Sequence, residues 1–392
     1  PRSLEDLDDL NRGLTYGFSQ VGKFITVYTR TGEEAVSLAA SLHRMTKGLP
    51  GPAVPFDRAF RPDSLVHYRY GAFTYFEAEQ ADGTRTAVVR NDKGEWVPDS
   101  RAPGAAVPDW VSDPFPKPRA QRRNQSPTGG PLSTTFRAYE AIAQRGKGGV
   151  YRALDLSVSP ARLCVLKEGR KDGETDWDGK DGHWRIRNEA AVLSELSKAG
   201  VPVPQVYASF ESEGNFYLVM ELVEGRCLDS LLRRKSRLPL RQALDYGGKL
   251  ARLLASIHSA GWVWRDCKPA NLMCDRSGDL RPLDFEGACR ITQPELLPWG
   301  TPGYIPSGWI RGYVSGSVLS EDLFALGTAL HYVVTGRPPD DNQPAPPIER
   351  LRRRVPEAVR EVVAALLSPE PQARPEASFV AKVLDAASLT LR

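Results

Sequence analysis

Trp264-Arg265-Asp266-Cys267-Lys268-Pro269-Ala270-Asn271 is followed, thirteen residues after Asn271, by Asp284 in the run Leu283-Asp284-Phe285-Glu286. Either stretch alone reads as a solvated Asp or Asn beside a proline turn. Together, at this separation, they gather two carboxylates, an ammonium and an amide into one short piece of chain, and they decide the reading of what surrounds them. Upstream, Leu163-Cys164-Val165-Leu166-Lys167 reads as a strand ending in a lysine, and Arg187-Asn188-Glu189-Ala190-Ala191-Val192-Leu193 as part of a helix. A lysine there is ordinarily just a solvated strand end, and Glu195 is a second acid on the same helix. Further upstream, Ala143-Gln144-Arg145-Gly146-Lys147-Gly148-Gly149-Val150-Tyr151 concentrates glycines between two strand-like stretches, which a plain hairpin turn would also explain.

Composition sets the bounds. The 392 residues are 41% apolar and 26% charged, an ordinary globular balance and enough chain for two or three domains. The longest apolar stretch, Leu323 to Val334, is broken by Gly327 and His331 and falls short of the roughly 20 residues a membrane helix needs. The expectation is a soluble chain with no membrane partner. Position 1 is Pro and no secretory pattern follows, so the chain reads as starting inside a longer protein. Five cysteines form no CxxC pair, which points to reduced cytoplasmic thiols rather than a disulfide framework or a zinc site. A net charge of +4 is too mild for a dedicated nucleic-acid binder and tolerates an acidic peptide partner.

From Val97 to Pro131 the sequence is rich in Pro and Gly with almost no periodic apolar pattern, which reads as a linker, 97–131. Before it, residues 1–96 read as a small α+β domain. Lys23 to Tyr28 and Thr84 to Val89 are expected as strands, as is Leu65 to Phe76, with a turn at Ala81-Asp82-Gly83, and Glu33 to Lys47 is expected as an amphipathic helix. After it, 132–392 opens with strand-like stretches and turns mostly helical beyond Leu222, so a strand-rich small lobe and a helical large lobe are expected. The Gly-rich, charged loop Lys171 to His183 is expected to become ordered only around a peptide or nucleotide.

The stretches around Asp266 and Asp284 resemble the HRDxKPxxN and DFG motifs of the protein-kinase fold, with Trp264 for the His and Glu286 for the Gly. The resemblance implies an α+β, bilobal architecture that uses ATP or GTP with Mg²⁺. Asp266 would orient and deprotonate the acceptor hydroxyl, Lys268 would offset charge on the transferred phosphoryl group, and Asn271 and Asp284 would hold Mg²⁺. Lys167 stands where the family has VAIK and would bind the α and β phosphates, with Glu189 fixing its rotamer. The glycine-rich loop matches only at Gly148 and Val150, since Ala143 and Arg145 occupy the first two glycine positions. Gly146 and Gly149 still allow close backbone approach to phosphates, so the loop is expected to work with altered geometry. Asn215 to Gly225 resembles the kinase hinge, with Met220 lining the adenine pocket and the backbone of Glu221 and Val223 reading the base edge. Gly300-Thr301-Pro302-Gly303-Tyr304 resembles the end of an activation segment, Asp322 the helix acid that anchors the catalytic loop, and Arg374 the late arginine. The usual Glu partner of that arginine, expected near Gly308, is missing.

Gly22 to Tyr28, Leu42-His43-Arg44, Gly48 to Pro52 and His67 to Phe73, followed by Trp96 to Asp99 and Asp113 to Pro116, resemble the lyase portion and linker of class III lanthipeptide synthetases. The small first domain would then be phosphothreonine-lyase-like. The resemblance implies phosphorylation of Ser and Thr in a leader-bearing precursor peptide rich in Ser, Thr and Cys, then elimination of phosphate, then thiol addition by a cyclase domain in the full-length protein. The stretch that would carry the lyase's Lys and His acid-base pair is absent before Pro1, and the chain ends where a cyclase would begin. By the same resemblance Arg69 and Lys23 are the phosphate-binding candidates of the lyase, with solvated surface cations as the plain alternative; His43 and His67 read as surface or core histidines. Two other readings stay open: a Ser/Thr signalling kinase that phosphorylates its own Thr292 or Thr301, and a peptide-binding pseudokinase scaffold.

Overall fold

A computed structural model of the chain describes residues 3–13, 17–62, 64–71, 74, 76–79, 83–99, 107–115, 131–295, 297, 299–306, 319–341 and 343–391. The expected turn residues Ala81 and Asp82, the position near Gly308 and much of 97–131 lie outside these. Contacts divide the chain into two compact units, residues 1–186 with 210–217, and 187–209 with 218–392.

The first unit begins with helix α1 (Leu4–Arg12), capped by the Ser3 hydroxyl, which accepts the Asp6 N–H at 3.0 Å, and ended by Gly13 in the left-handed region. Helix α2 (Gly32–Thr46) starts where Thr31 accepts the Glu34 N–H at 3.1 Å while the Glu34 carboxylate reaches back to the Arg30 N–H. Strands β1 (Arg58–Ala59) and β2 (His67–Tyr68) pair antiparallel, and β3 (Glu77–Glu79), β4 (Arg85–Arg90) and β5 (Trp96–Pro98) form a three-stranded sheet. Phe115 is buried, stacks on Tyr68 at 3.8 Å and meets Phe60 edge-on, and Asp113 accepts from Arg58 at 2.8 Å. Part of the 97–131 stretch thus folds onto the first domain: its composition is that of a linker, but its aromatic and acidic residues find partners.

The expected strand at Lys23 to Tyr28 forms no ladder among the described residues. It has no regular secondary structure, and Phe24, Ile25, Val27 and Tyr28 are more than half exposed. Its β-branched and aromatic content signals a preference for a pleated surface, and that preference cannot act without a neighbouring strand.

After the short helix α3 (Pro131–Thr134), β6 (Phe136–Arg145), β7 (Gly148–Asp155) and β8 (Arg162–Gly169) run as an antiparallel meander. Helix α4 (Gly182–Lys198) is capped by Asp181, whose carboxylate accepts the Trp184 N–H at 2.9 Å. Strands β9 (Val206–Ser212) and β10 (Asn215–Glu221) follow.

In the second unit, β11 (Arg226–Cys227) and α5 (Leu228–Lys235) lead to α6 (Leu240–Ser259), then β12 (Trp262–Val263), β13 (Leu272–Cys274), β14 (Leu280–Pro282) and β15 (Cys289–Arg290). Helices α7 (Leu319–Thr335), α8 (Ile348–Leu351), α9 (Glu357–Leu366) and α10 (Ala377–Thr390) complete it. Helix α7 is buried nearly throughout, so it reads as apolar on every side because it is the centre of this unit's core. Among the described residues no helix is long and apolar enough to cross a membrane.

Candidate active site

Antiparallel pairing sets the geometry around Asp266. Leu272 lies opposite Pro282 in the β13–β14 ladder, and the Leu283 N–H donates to the Asn271 C=O at 2.8 Å. Asn271 therefore faces Leu283, one residue from Asp284. A short 3₁₀ turn at Pro269–Asn271 brings the side chains back onto Asp266. Its carboxylate accepts from Lys268 Nζ at 2.7 Å and Asn271 Nδ2 at 2.7 Å on one oxygen, and from the Thr301 hydroxyl at 2.8 Å on the other. Lys268 Nζ also donates to Thr301 Oγ1 at 2.5 Å. With Nδ2 of Asn271 committed to Asp266, its amide oxygen is the atom that remains for a hard cation.

Asp284 has φ +64°, and its carbonyl accepts from the Trp264 indole at 2.9 Å. One carboxylate oxygen from each of Glu189, Asp284 and Glu286 lies within 4.8 Å of the other two. Glu189 is fully buried and accepts the Phe285 N–H at 3.1 Å, whereas Glu195 is only half-buried and pairs with Arg290. The helix acid that meets the Asp284 run is thus Glu189. Asn188 holds the same run by donating to the carbonyls of Glu286 and Ala288. Like charges this close favour a bound cation, and all-oxygen donors suit Mg²⁺.

Asp322, at the start of α7, accepts the backbone N–H groups of Trp264 (2.8 Å) and Arg265 (2.6 Å) and lies 2.9 Å from His258 Nε2. Met220 and Val223 are buried. Glu221 turns its carboxylate to Arg281 (2.8 Å), and its N–H donates to the Gln205 C=O at 2.8 Å.

In the first unit, Lys167 is buried in β8 directly opposite Val150 in β7. Gly146 and Lys147 form the two-residue turn between β6 and β7, with Arg145 opposite Gly148. Gly148 has φ +151°, and a Cβ there would stand 1.8 Å from the Glu168 carbonyl oxygen. The turn is held from two sides. The Gly146 N–H donates to the Arg12 C=O at the end of α1 (3.3 Å), and the Lys147 N–H to the Glu174 carboxylate (3.0 Å). The Lys171 to His183 loop is already folded here: Asp176 accepts the N–H groups of Asp178 and Lys180, and Asp181 that of Asp172. These local bonds from Asp176 and Asp181 offset part of the ordering entropy on which the expectation of a mobile loop rested.

Lys23 and Arg69 are not open cations. Lys23 Nζ lies 3.1 Å from Asp57 with both side chains largely buried, and Arg69 pairs with Asp99. His43 lies 2.9 Å from the Ser64 hydroxyl, and burial pulls His67 below its ordinary value.

Three contributors escaped the sequence reading: Thr301 as a partner of Asp266 and Lys268, Glu286 beside Asp284, and Glu321 beside Arg265. Thr301 was visible only as a modification candidate. The replacement of Gly by Glu286 was the one signal for the second, and nothing local marked the third.

The chain belongs to the protein kinase family: the protein kinase domain matches residues 139–384, and such a domain uses a nucleotide and a divalent metal. The RamC N-terminal domain matches residues 8–127. This succession of domains is that of class III lanthipeptide synthetases, as the resemblance implied. The chain is 31% identical over 307 residues to the probable SapB synthase of Streptomyces coelicolor, covering 74% of this chain and 32% of that protein. It is 30% identical to the Ser/Thr protein kinase PknA of a Nostoc species over 55% of this chain and 39% of the relative. To PknA of Mycobacterium tuberculosis it is 32% identical, over 53% and 48% respectively. The chain thus spans less than half the length of each of these relatives.

Proposed function

We propose that the chain is the lyase and kinase part of a lanthipeptide synthetase acting in the cytoplasm. Its kinase domain, from residue 132 onward, transfers a phosphoryl group from ATP or GTP to Ser and Thr of a leader-bearing precursor peptide. The observation that carries this reading is the Asp266 carboxylate, which holds an ammonium, an amide and a hydroxyl donor at 2.7 to 2.8 Å. Thr301 donates a hydroxyl hydrogen to Asp266 as an acceptor side chain would. Asp266 accepts the proton, Lys268 offsets the charge that develops, and Asn271 and Asp284 orient the metal side of the site. Bound Mg²⁺ would neutralise the phosphates. Lys167 steadies the nucleotide phosphates under the turn of Gly146 and Gly148, while Met220 and the backbone of Glu221 and Val223 receive the base. The RamC N-terminal domain and the SapB synthase relationship favour a peptide over a folded protein as substrate.

Elimination of phosphate is assigned to the first domain by resemblance. Arg69 and Lys23 already hold Asp99 and Asp57, so a phosphate would have to displace a carboxylate to use them. A cyclase domain in the full-length protein would then consume the dehydrated peptide.

The test is to incubate the chain with Mg²⁺, ATP or GTP and a Ser/Thr-rich precursor peptide with and without its leader, reading peptide mass, with Asp266→Asn as control. Leader-dependent gain of phosphate, absent in the control, is the expected result. Phosphorylation of a generic protein alone would overturn it in favour of a signalling kinase, and silence on both would favour a scaffold.

A further inference from the structure

Two buried charges stand outside the reaction described so far. Arg265, beside Asp266, has φ +68° and a side chain only 3% exposed. Its Nε lies 3.4 Å from Glu321, and its Nη2 donates to the C=O of Leu297, four residues before Thr301. Glu321 immediately precedes Asp322, whose carboxylate carries the backbone of Trp264 and Arg265. One end of α7 therefore holds the catalytic turn through Asp322 and the Leu297–Thr301 segment through Glu321 and Arg265. A second buried arginine, Arg374, donates to the carbonyls of Ser320 (2.7 Å) and Ser368 (2.9 Å), and Glu321 acts on it electrostatically. The sequence offers no acid near Gly308 to answer that arginine.

A buried arginine without a carboxylate is strongly disfavoured, and protein kinases commonly order this segment by pairing arginine with a phosphorylated side chain. We propose that Glu321 supplies the missing negative charge and is a positioning residue for phosphoryl transfer. Through Arg265 it holds Leu297, and with it the placement of Thr301 on Asp266, so the segment needs no phosphate of its own. The inference rests on the kinase reading above.

Glu321→Gln keeps volume and removes charge; Glu321→Asp keeps charge. Hydrogen exchange on the free chain comes first, because it needs no substrate and so separates this inference from the identity of the acceptor peptide. Amides of residues 287–304 are expected to exchange faster in Glu321→Gln, near wild type in Glu321→Asp, and unchanged elsewhere in both. In peptide phosphorylation, kcat of the Gln variant should fall roughly ten- to a hundredfold with the nucleotide KM held within about twofold, and the Asp variant should recover most of the loss. Intact mass of active wild type should show no phosphate on the chain. Uniformly faster exchange with a matching loss of nucleotide binding, a Gln variant that behaves as wild type, or a wild type that works only once Thr292 or Thr301 is phosphorylated would each overturn the proposal.

Discussion

The indole Nε1 of Trp264 donates to the backbone carbonyl of Asp284 at 2.9 Å, and the Trp264 ring stacks on Phe285 with centroids 5.4 Å apart. A fully buried indole thus ties the Asp266 turn to an acid held in the left-handed region. Trp264→Phe preserves stacking but leaves a buried carbonyl without its donor. It should cost about 1–3 kcal/mol in denaturant unfolding and weaken Mg²⁺-dependent nucleotide binding. Unchanged nucleotide affinity would show that this bond does not hold Asp284.

Asp266→Asn retains one acceptor oxygen, enough for Lys268 or for Thr301 but not for both, and is a far poorer base. Turnover should drop by about 10²- to 10⁴-fold with little change in nucleotide affinity, measured by phosphate incorporation and by titration with a fluorescent nucleotide.

Gly148→Ala places a methyl 1.8 Å from the Glu168 oxygen at φ +151°. Strain there should lower stability by about 1–3 kcal/mol and loosen nucleotide binding, read as a fall in thermal midpoint and a rise in nucleotide Kd. A variant with wild-type midpoint would mean that β7 and β8 can part locally.

Burial pushes the Glu321 carboxyl up to about 7, with Arg265 and Arg374 pulling it back and Asp322 adding to the rise. The Cys289 thiol, itself raised, stays neutral in this range. A raised acid binds a proton more tightly when folded, so its contribution is full below the unfolded value near 4.5 and is lost as pH climbs through 7. Stability of wild type relative to Glu321→Gln should therefore decline from pH 5 to 8, approaching about 3 kcal/mol in total, so the charge that holds Leu297 through Arg265 is carried at a cost to global stability, and the faster exchange of the Gln variant is expected only near and above pH 7. A pH-independent difference would refute the shift.

Lys23 and Asp57 share a largely buried ion pair. Removing one partner, as in Lys23→Met, should cost about 3–5 kcal/mol, while Lys23→Met with Asp57→Leu should be near neutral. If wild type eliminates phosphate from a phosphorylated peptide and the double variant matches it, Lys23 is structural; if wild type eliminates and the folded double variant does not, Lys23 binds phosphate.

The kinase core was legible because its chemistry is local: Asp266, Lys268 and Asn271 fall within six residues, and β13–β14 pairing returns Asp284 beside them. Glu189 and Glu195 could not be told apart by periodicity, since only burial separates a fully buried acid that receives the Phe285 N–H from a half-buried one that meets Arg290. Glu321 was invisible because its partner lies 56 residues away, with no motif linking the two. Lys23 to Tyr28 misled in the other direction, since strand composition does not reveal whether a neighbouring strand exists.

The hydrogen bond from Gly146 to the Arg12 carbonyl bears on protein engineering. The proline-rich stretch near residue 100 looks like the natural place to cut and recombine such enzymes. A chimera joined there with a foreign front half would inherit a glycine turn whose amide was fitted to a helix no longer present. Swaps that carry Ser3 through Arg12 along with the kinase keep that fit, and a donor helix should be judged by where its last carbonyl falls.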